Sequence, residues 1–277
     1  MPPPSAAKTL PELALKLASS GPVKTLPTPR LIRVLFNGQF IASTTSALFV
    51  WEHPYYPQYY LPAAALLNSP TKPKDFSATQ GEPIKDSSGT TIAHTYTLAV
   101  GTRSTSACFI FTDNLSGPAK ELKGLAKIDF SAADRWFEEA APISVHPKDP
   151  FKRVDTLPSR RRIQVFVHDV KVADTTASVH LFETGLPCRF YMPLTDVELG
   201  VLRRSETRTQ CPYKGEAEYY SVDVGKGEGG VARDVVWFYE RPTLECAKIE
   251  GLVCFYNEKV KIKVDDEWLE QPKTPFS

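Results

Sequence analysis

Residues 34–62 of the chain read VLFNGQFIASTTSALFVWEHPYYPQYYLP, and residues 165–193 read VFVHDVKVADTTASVHLFETGLPCRFYMP. Aligned at a constant offset of 131, the two stretches share seven identical residues in 29 positions. Chance would give about two identities. The similarity resumes downstream, where residues 96–101 resemble 220–225 and residues 109–111 resemble 237–239. The chain is therefore a tandem duplication.

The beginning of each copy has the pattern of β-structure. In the first copy, the mainly apolar segments 33–36 and 39–42 flank Asn37-Gly38, a pair that tolerates the positive φ angles of a type I′ turn and predicts a hairpin. Near the end of that copy, Ser131 and Asp134 resemble a capping box and predict a helix through Glu139. We predict a mainly β fold with a minor α+β character, built as two tandem repeats of a small antiparallel β domain with short helices.

The repeats and the composition between them suggest four regions. Residues 1–30 are predicted to be a flexible N-terminal tail, because prolines 11, 22, 27 and 29 interrupt them. The first, degenerate repeat is predicted over residues 31–150, a linker over 151–162 and the second repeat over 163–277. Residues 69–93 are rich in Ser, Thr, Pro, Lys and Gly and predict a loop insertion in the first repeat.

Composition excludes several classes of protein. The formal net charge is +1, which argues against nucleic acid as a partner. No window reaches the roughly 20 apolar residues that a membrane helix needs. The five cysteines are odd in number and widely spaced, which favours reduced thiols in the cytoplasm over a disulfide framework or a zinc site. We predict no metal, no cofactor, no membrane and no nucleic acid, and a small molecule as the ligand.

The densest group of reactive side chains is CPYKGEAEYY, residues 211–220. Lys214 can bind an anion, or act as a base if desolvation lowers its pKa, and Tyr213 can act as an acid. Cys211 can act as a nucleophile if a cation lowers its pKa. The commoner role of a residue such as Lys214 is that of an exposed lysine at a turn. The commoner role of a residue such as Cys211 is that of a small buried hydrophobic side chain.

Two further positions are informative when the repeats are compared. Glu183 is matched by Glu52, which suggests a structural role shared by both repeats, such as binding backbone N–H groups. Arg189 is replaced by Gln58 in the first repeat, so Arg189 is predicted to serve the second repeat alone. If Arg189 and Lys214 converge, they form an anion site. The remaining candidate ligand-binding residues are Arg208, Tyr191, Trp237 and Tyr239, although a solvated arginine and core aromatics are the commoner roles.

Several motifs occur together in the second repeat: ADTT at 173–176, LFETGLP at 181–187, RFYMP at 189–193, RTQCPYKGEA at 208–217, VWFYE at 236–240 and FYNE at 255–258. In this order they resemble the domain of unknown function 427 family, which is also labelled nucleotidyltransferase-like. The resemblance implies a small, mainly antiparallel β domain that often occurs in tandem. The first repeat resembles a degenerate copy that lacks the Cys-x-x-Lys-Gly element.

Three hypotheses of function remain at this point. The first is a cofactor-independent enzyme for a small anionic or polar metabolite, with proton transfer by Tyr213, Glu183 or Cys211. The second is a non-catalytic small-molecule binding or scaffold protein that uses the same pocket. The third, from the family label, is Mg²⁺-dependent nucleotidyl transfer, which needs a carboxylate cluster such as Glu183, Glu216 and Asp234.

Overall fold

The structure, a computed structural model, describes residues 9–69, 72–225 and 230–274. The chain divides into two compact units whose boundary lies between residues 149 and 150. Strands of the described residues form four antiparallel sheets, two in each unit. The prediction of a mainly β, tandemly repeated fold is confirmed.

The first unit contains two short α-helices and eleven strands among its described residues. The helices are α1 (Leu10–Ser20) and α2 (Ala63–Leu67). The strands are β1 (Lys24–Pro27), β2 (Ile32–Phe36), β3 (Gln39–Thr44), β4 (Leu48–Trp51), β5 (Gln58–Pro62), β6 (Phe76–Lys85), β7 (Thr91–Val100), β8 (Arg103–Phe111), β9 (Leu125–Ile128), β10 (Arg135–Glu138) and β11 (Ala141–Ile143). Short 3₁₀ helices span Gly117–Leu122 and Phe130–Ala132.

The second unit repeats this strand order. Its strands are β12 (Val154–Pro158), β13 (Ile163–Val167), β14 (Val170–Thr175), β15 (Val179–Glu183), β16 (Arg189–Met192), β17 (Leu202–Cys211), β18 (Gly215–Asp223), β19 (Val231–Phe238), β20 (Val253–Phe255), β21 (Lys261–Val264) and β22 (Glu267–Trp268). Its 3₁₀ helices include Leu194–Asp196, Leu199–Val201 and Leu244–Ile249.

The sheet topology shows that the duplication extends over each whole unit. The seven-stranded sheets have the orders β1-β4-β5-β9-β8-β7-β6 and β12-β15-β16-β20-β19-β18-β17. The four-stranded sheets have the orders β3-β2-β10-β11 and β14-β13-β21-β22. Every strand of the first unit therefore has a counterpart at the same place in the second.

The first hairpin of each four-stranded sheet has a turn with the same left-handed backbone conformation. Asn37 and Gly38 have φ angles of 49° and 72°, as predicted for the β2–β3 turn, and the N–H of Gly38 donates to Asp134 Oδ2 at 2.8 Å. In the β13–β14 turn His168 and Asp169 take φ angles of 47° and 65° without a glycine. The left-handed turn is thus kept although its residues have changed.

Alternation along the strands gives each seven-stranded sheet two buried faces. In the second unit Phe190, Met192 and Val236 lie on the face that joins the core with the four-stranded sheet. Leu181 and Tyr191 belong to a second cluster on the other face. We call this second face the outer face, and its first-unit counterparts are Val50 and Tyr60.

Helix α1 shows that the prediction of a flexible tail is wrong for residues 10–27. Leu13, Ala14 and Leu17 of α1 are buried in the outer-face cluster of the first unit. The prolines do not interrupt the helix, because Pro11 occupies the first turn, where an N–H has no intrahelical partner, and Pro22 follows the end of the helix at Gly21. Strand β1 then pairs with β4.

Three further boundaries differ from prediction because strand pairing overrides local composition. Residues 69–93 are not a loop insertion, since they contain all of β6 and the start of β7, and the β6–β7 hairpin is the counterpart of β17–β18. The predicted linker contains β12, an edge strand that pairs with β15. The predicted helix to Glu139 is instead a 3₁₀ turn followed by β10, whose Trp136 is 1% exposed in the core.

None of the helices in residues 9–69, 72–225 and 230–274 is long and apolar enough to cross a membrane.

The packing of α1 gives a stability prediction. Leu17→Ala is expected to destabilise the protein by about 2–5 kcal/mol, because it removes a fully buried side chain and leaves a cavity in its place. Leu15→Ala on the same helix is the matched control, since Leu15 is 37% exposed, and about 0.5 kcal/mol or less is expected. Equilibrium urea unfolding measures both changes. Equal, small effects would contradict the packing of α1 against the sheet.

Candidate functional site

The segment rich in reactive groups is the connection between β17 and β18. Cys211 and Gly215 pair across the hairpin, so residues 212–214 form the turn. Gly215 has a φ of 106°, and a Cβ at this position would lie 3.1 Å from the carbonyl oxygen of Arg241. The turn therefore needs glycine, both for its backbone conformation and for the close approach of the neighbouring segment.

That neighbouring segment holds the turn in place. The Thr243 hydroxyl donates to the backbone carbonyl oxygen of Tyr213 at 2.5 Å. The backbone N–H of Thr243 donates to the backbone carbonyl oxygen of Lys214 at 3.0 Å. The sulfur of Cys246 lies 3.5 Å from the same Tyr213 oxygen. Three contacts thus fix the backbone that carries Lys214, whose side chain is buried.

Four side chains meet at this point, and we call them the Lys214 cluster. The Lys214 ammonium donates to Glu183 Oε2, and its nitrogen lies 3.8 Å from Cys211 Sγ. Lys152 Nζ lies 3.5 Å from the second oxygen of Glu183. Glu183 and Lys214 are each 8% exposed, whereas Cys211 is partly exposed. A buried carboxylate here is balanced by two ammonium groups, beside a thiol that solvent can reach.

The structure thus brings together three of the residues predicted from sequence, and it adds Lys152. Sequence reasoning missed Lys152 because it lies in the predicted linker and belongs to no motif. The pairing of β12 with β15 places it beside the end of β15. Its counterpart by strand register is Gly21, so comparison of the repeats gave no signal either.

The protonation state of Lys214 contradicts one of its predicted roles, that of a base. Burial alone lowers the pKa of a lysine, but the interactions of Lys214 with Cys211 and Glu183 more than offset it, so the pKa of Lys214 is raised. Lys214 therefore stays an ammonium group at neutral pH. The predicted role as a base with a lowered pKa is wrong, whereas a role as a cation fits.

Tyr213 lies beside the cluster. Its side chain is 8% exposed, and the Lys152 ammonium lies over its ring, 5.8 Å from the centroid. The backbone carbonyl of Tyr213 accepts the hydrogen bond from Thr243. Tyr213 therefore supports the turn and forms a wall of the site next to Lys152.

Arg189 does not join Lys214 in an anion site. Its guanidinium makes two hydrogen bonds of 2.7 Å with the two carboxylate oxygens of Glu258 and lies over the ring of Trp237, 5.5 Å from the centroid. Since the bidentate pair uses the arginine fork, the predicted convergence is wrong.

The other candidate ligand-binding residues also have structural partners. Tyr191, Trp237 and Tyr239 pack together on the outer face, and Trp237 Nε1 donates to the Tyr191 hydroxyl at 3.0 Å. Burial raises the pKa of Tyr191 and that of Tyr239 well above the usual tyrosine value, so both remain neutral phenols. Arg208 is exposed and pairs with Glu216 and Glu218. These four side chains form core and surface structure rather than the wall of a pocket.

The carboxylates proposed for Mg²⁺ have separate partners. Glu183 binds Lys214, Glu216 binds Arg208, and Asp234 accepts from the hydroxyl of Thr207 at 2.7 Å. Across the part of the chain that the structure describes, no group of three or more His, Cys, Asp or Glu side chains is placed to hold a metal ion. The carboxylate cluster that nucleotidyl transfer requires is not assembled from these residues.

The first repeat contains a matching ion pair built from a different strand. Glu52, the counterpart of Glu183, has Lys127 Nζ at 2.8 Å and accepts from the Tyr60 hydroxyl at 2.9 Å. Lys127 lies on β9 at the register position that Cys254 occupies on β20, since Phe109 pairs with Lys127 and Trp237 pairs with Cys254. The role shared by Glu52 and Glu183 is therefore binding a lysine, not backbone N–H groups.

Comparison with known families agrees with the duplicated structure. The family model described as Domain of unknown function (DUF427) matches residues 24–139 and again residues 155–266. The chain is a tandem member of this family. A search of curated proteins found no match. Both matched regions of this DUF427 chain begin at the edge strand of a seven-stranded sheet, at β1 and at β12.

The buried pair gives a prediction for stability. Lys214→Met and Glu183→Gln are each expected to cost about 3–5 kcal/mol, because each leaves the other group buried without its partner. The double variant is expected to be more stable than the sum of the two losses by at least about 1 kcal/mol. Chemical denaturation measures the cycle, and Lys127→Met with Glu52→Gln is the matched cycle in the first repeat. Additive losses would show that the two groups are not coupled.

The same pair gives a prediction for pH. Because the pKa of Lys214 is raised in the folded state, its contribution to stability is complete below the unfolded-state pKa of about 10.4 and is lost as the pH rises through the folded-state pKa. The difference in unfolding free energy between the native protein and Lys214→Met is therefore expected to shrink between pH 9 and strongly alkaline pH. Denaturation across this range measures the difference. A constant difference would mean that the ammonium group does not stabilise the fold.

Proposed function

We propose that the second repeat is a cofactor-independent enzyme that acts on a small anionic or polar metabolite at the Lys214 cluster. The observation that supports this proposal is the charge balance around Glu183, where two lysines approach one carboxylate. One positive charge is left over beside a partly exposed thiol. An anionic ligand would meet Lys152 first, because Lys152 has 19% of its side chain exposed and Lys214 has 10%.

The proposed chemistry follows from the state of each group. Cys211 is partly exposed and is the thiol of the cluster, so it is assigned the proton transfer to or from the ligand. The Lys214 ammonium, in contact with the sulfur, is positioned to stabilise negative charge that develops there. Glu183 keeps Lys214 in position through their hydrogen bond. Lys152 binds the anionic group of the ligand.

Comparison of the repeats supports assigning the activity to the second one. In the first repeat the Glu52 carboxylate pairs with Lys127 and Tyr60, and Lys16 of α1 donates to the backbone oxygen of Glu52 at 2.9 Å. The second repeat keeps the buried pair and adds Cys211 and a second ammonium group on the carboxylate. An ion pair with a purely structural role requires neither the thiol nor the second ammonium group.

The presence of an ion pair in both repeats favours one alternative, a non-catalytic binding or scaffold protein. In that case the Lys214–Glu183 pair serves the fold, and Lys152 holds a ligand that Cys211 does not change. A ligand that is bound but never converted would identify this alternative.

The proposal predicts how Cys211 reacts with charged reagents. Relative to N-acetylcysteine, Cys211 is expected to favour anionic iodoacetate over neutral iodoacetamide by about threefold, or roughly 0.6 kcal/mol, as a partly exposed ion pair would give. Lys152→Met is expected to abolish this preference, whereas Lys261→Met, an exposed lysine of the same repeat, leaves it unchanged. The rates are measured by mass spectrometry of the Cys211 peptide. An unchanged ratio in Lys152→Met would rule out an anion site at Lys152.

A ligand screen then separates the enzyme from the binding protein. Small carboxylates and phosphorylated metabolites that raise the melting temperature of the native protein, but not of Lys152→Met, are retained as ligands. Each is incubated with the native protein and with Cys211→Ser and is followed by mass spectrometry. Conversion by the native protein alone supports the enzyme. Equal binding by both proteins without conversion supports the alternative.

A further inference from the structure

The contact between Cys211 and Lys214 has a chemical consequence that does not depend on any ligand. The two residues belong to one tight hairpin turn, and the distance of 3.8 Å between Sγ and Nζ is that of direct contact. The turn is anchored by Thr243 and restricted by Gly215. The thiol and the amine are therefore held together in the resting protein.

Accessibility singles out Cys211 among the thiols of the second repeat. Cys246 and Cys254 have no exposed surface, and burial raises the pKa of each thiol. Cys188 is partly exposed, but its sulfur contacts the backbone oxygen of Arg189. Since oxidation of cysteine depends on access, a small oxidant such as hydrogen peroxide reaches Cys211 beside a nitrogen nucleophile.

We propose that Cys211 and Lys214 are a modification site, at which oxidation by a peroxide joins the two side chains through a reversible sulfur–nitrogen bond. The first step converts the thiol and hydrogen peroxide into a sulfenic acid and water. In the second step Lys214 gives one proton to Glu183, and the free amine attacks the sulfur as the S–O bond breaks. The departing hydroxide takes a second proton from nitrogen to form water. Glu183 finally releases its proton to solvent.

Glu183 holds Lys214 as an ammonium group in the resting protein, and because it already accepts the hydrogen bond of that group it is in place to take the proton transiently during the condensation. The attacking nitrogen, the proton acceptor and the sulfur are thus in contact before oxidation begins. Two equivalents of an external thiol reverse the reaction, restoring the cysteine and the lysine and forming a disulfide of the reductant. The cross-link also removes the charge of Lys214, so it switches off any activity that needs the ammonium group.

The main competitor for oxidised Cys211 is the thiol of Cys246. Its sulfur lies 3.5 Å from the Tyr213 carbonyl oxygen beneath the turn, and the charges of Cys246 and Cys211 influence each other. The Lys214 nitrogen touches the Cys211 sulfur directly. Geometry therefore favours the lysine over the second cysteine.

Tryptic mapping of the full chain after brief peroxide treatment tests the cross-link. Trypsin normally cuts after Lys214, separating residues 209–214 from 215–226. The expected oxidised product is the uncut peptide 209–226, lighter than its reduced linear form by about 2 Da, the mass of two hydrogens. Dithiothreitol should restore the normal cleavage. Cys246→Ser should keep this product, and Lys214→Arg and Cys211→Ser should lose it.

Other outcomes would overturn the proposal. These are a Cys211 peptide that only gains oxygen, a link to Cys246, or an uncut peptide that persists in Lys214→Arg treated with trypsin. Because Lys214→Arg keeps the positive charge and Cys211→Ser alters a partly exposed side chain, at least one variant retains the fold, which melting curves verify. The readout is a mass and needs no ligand, so it succeeds or fails independently of the proposed enzyme activity.

Discussion

A carboxylate placed at the end of a buried strand must have a cation, and much of the architecture around the site follows from this requirement. Glu183 ends β15 on the outer face of the sheet, with only 8% of its surface exposed. An ionised carboxylate there is costly unless it is paired and hydrogen-bonded. The β17–β18 turn supplies Lys214, and the need to place that lysine explains why the turn is anchored by Thr243 and why it requires Gly215.

The first repeat meets the same requirement by another route. Its lysine comes from β9, where the second repeat has Cys254, and not from the hairpin turn. A buried ion pair by itself is weak evidence for stability, because desolvation offsets much of the attraction. The retention of the glutamate with a lysine from a different strand indicates that the fold requires a neutralised acid at this point.

Sequence comparison predicted the fold well where the repeats are aligned and poorly where one copy has no counterpart. The constant offset over residues 34–62 revealed the duplication, and the Asn37-Gly38 turn correctly predicted the hairpin of β2 and β3. Helix α1 was missed because the number of prolines near it was taken to exclude a helix. Their positions allow one, since Pro11 lies in the first turn and Pro22 lies beyond the last. Strand β10 was missed because capping residues near Ser131 describe a single turn, whereas the strand is set by the burial of Trp136.

The site was predictable only in part, for a reason that lies in strand register. Cys211, Lys214 and Glu183 could be nominated from residue type, but Lys127 is matched to a cysteine and Lys152 to a glycine, so neither ion pair is visible in the alignment. Arg189 was misjudged because its partner, Glu258, lies 69 residues away. Position in the fold, not residue identity, decides which charges meet.

The asymmetry between the repeats is the strongest argument about function. Both outer faces bury the same kinds of residues, and both contain a glutamate–lysine pair. Helix α1 packs on that face in the first repeat, and Lys16 of α1 binds the backbone at Glu52. At the corresponding acid of the second repeat, Lys152 takes part through its side chain and Cys211 reaches solvent. The two acids are exposed to a similar extent, 11% of the side chain for Glu52 and 6% for Glu183, so their burial does not distinguish the repeats. The difference lies in the neighbours, since only Glu183 has a second ammonium group on its carboxylate and a partly exposed thiol next to its lysine, and this difference supports the proposal that the second repeat carries the activity.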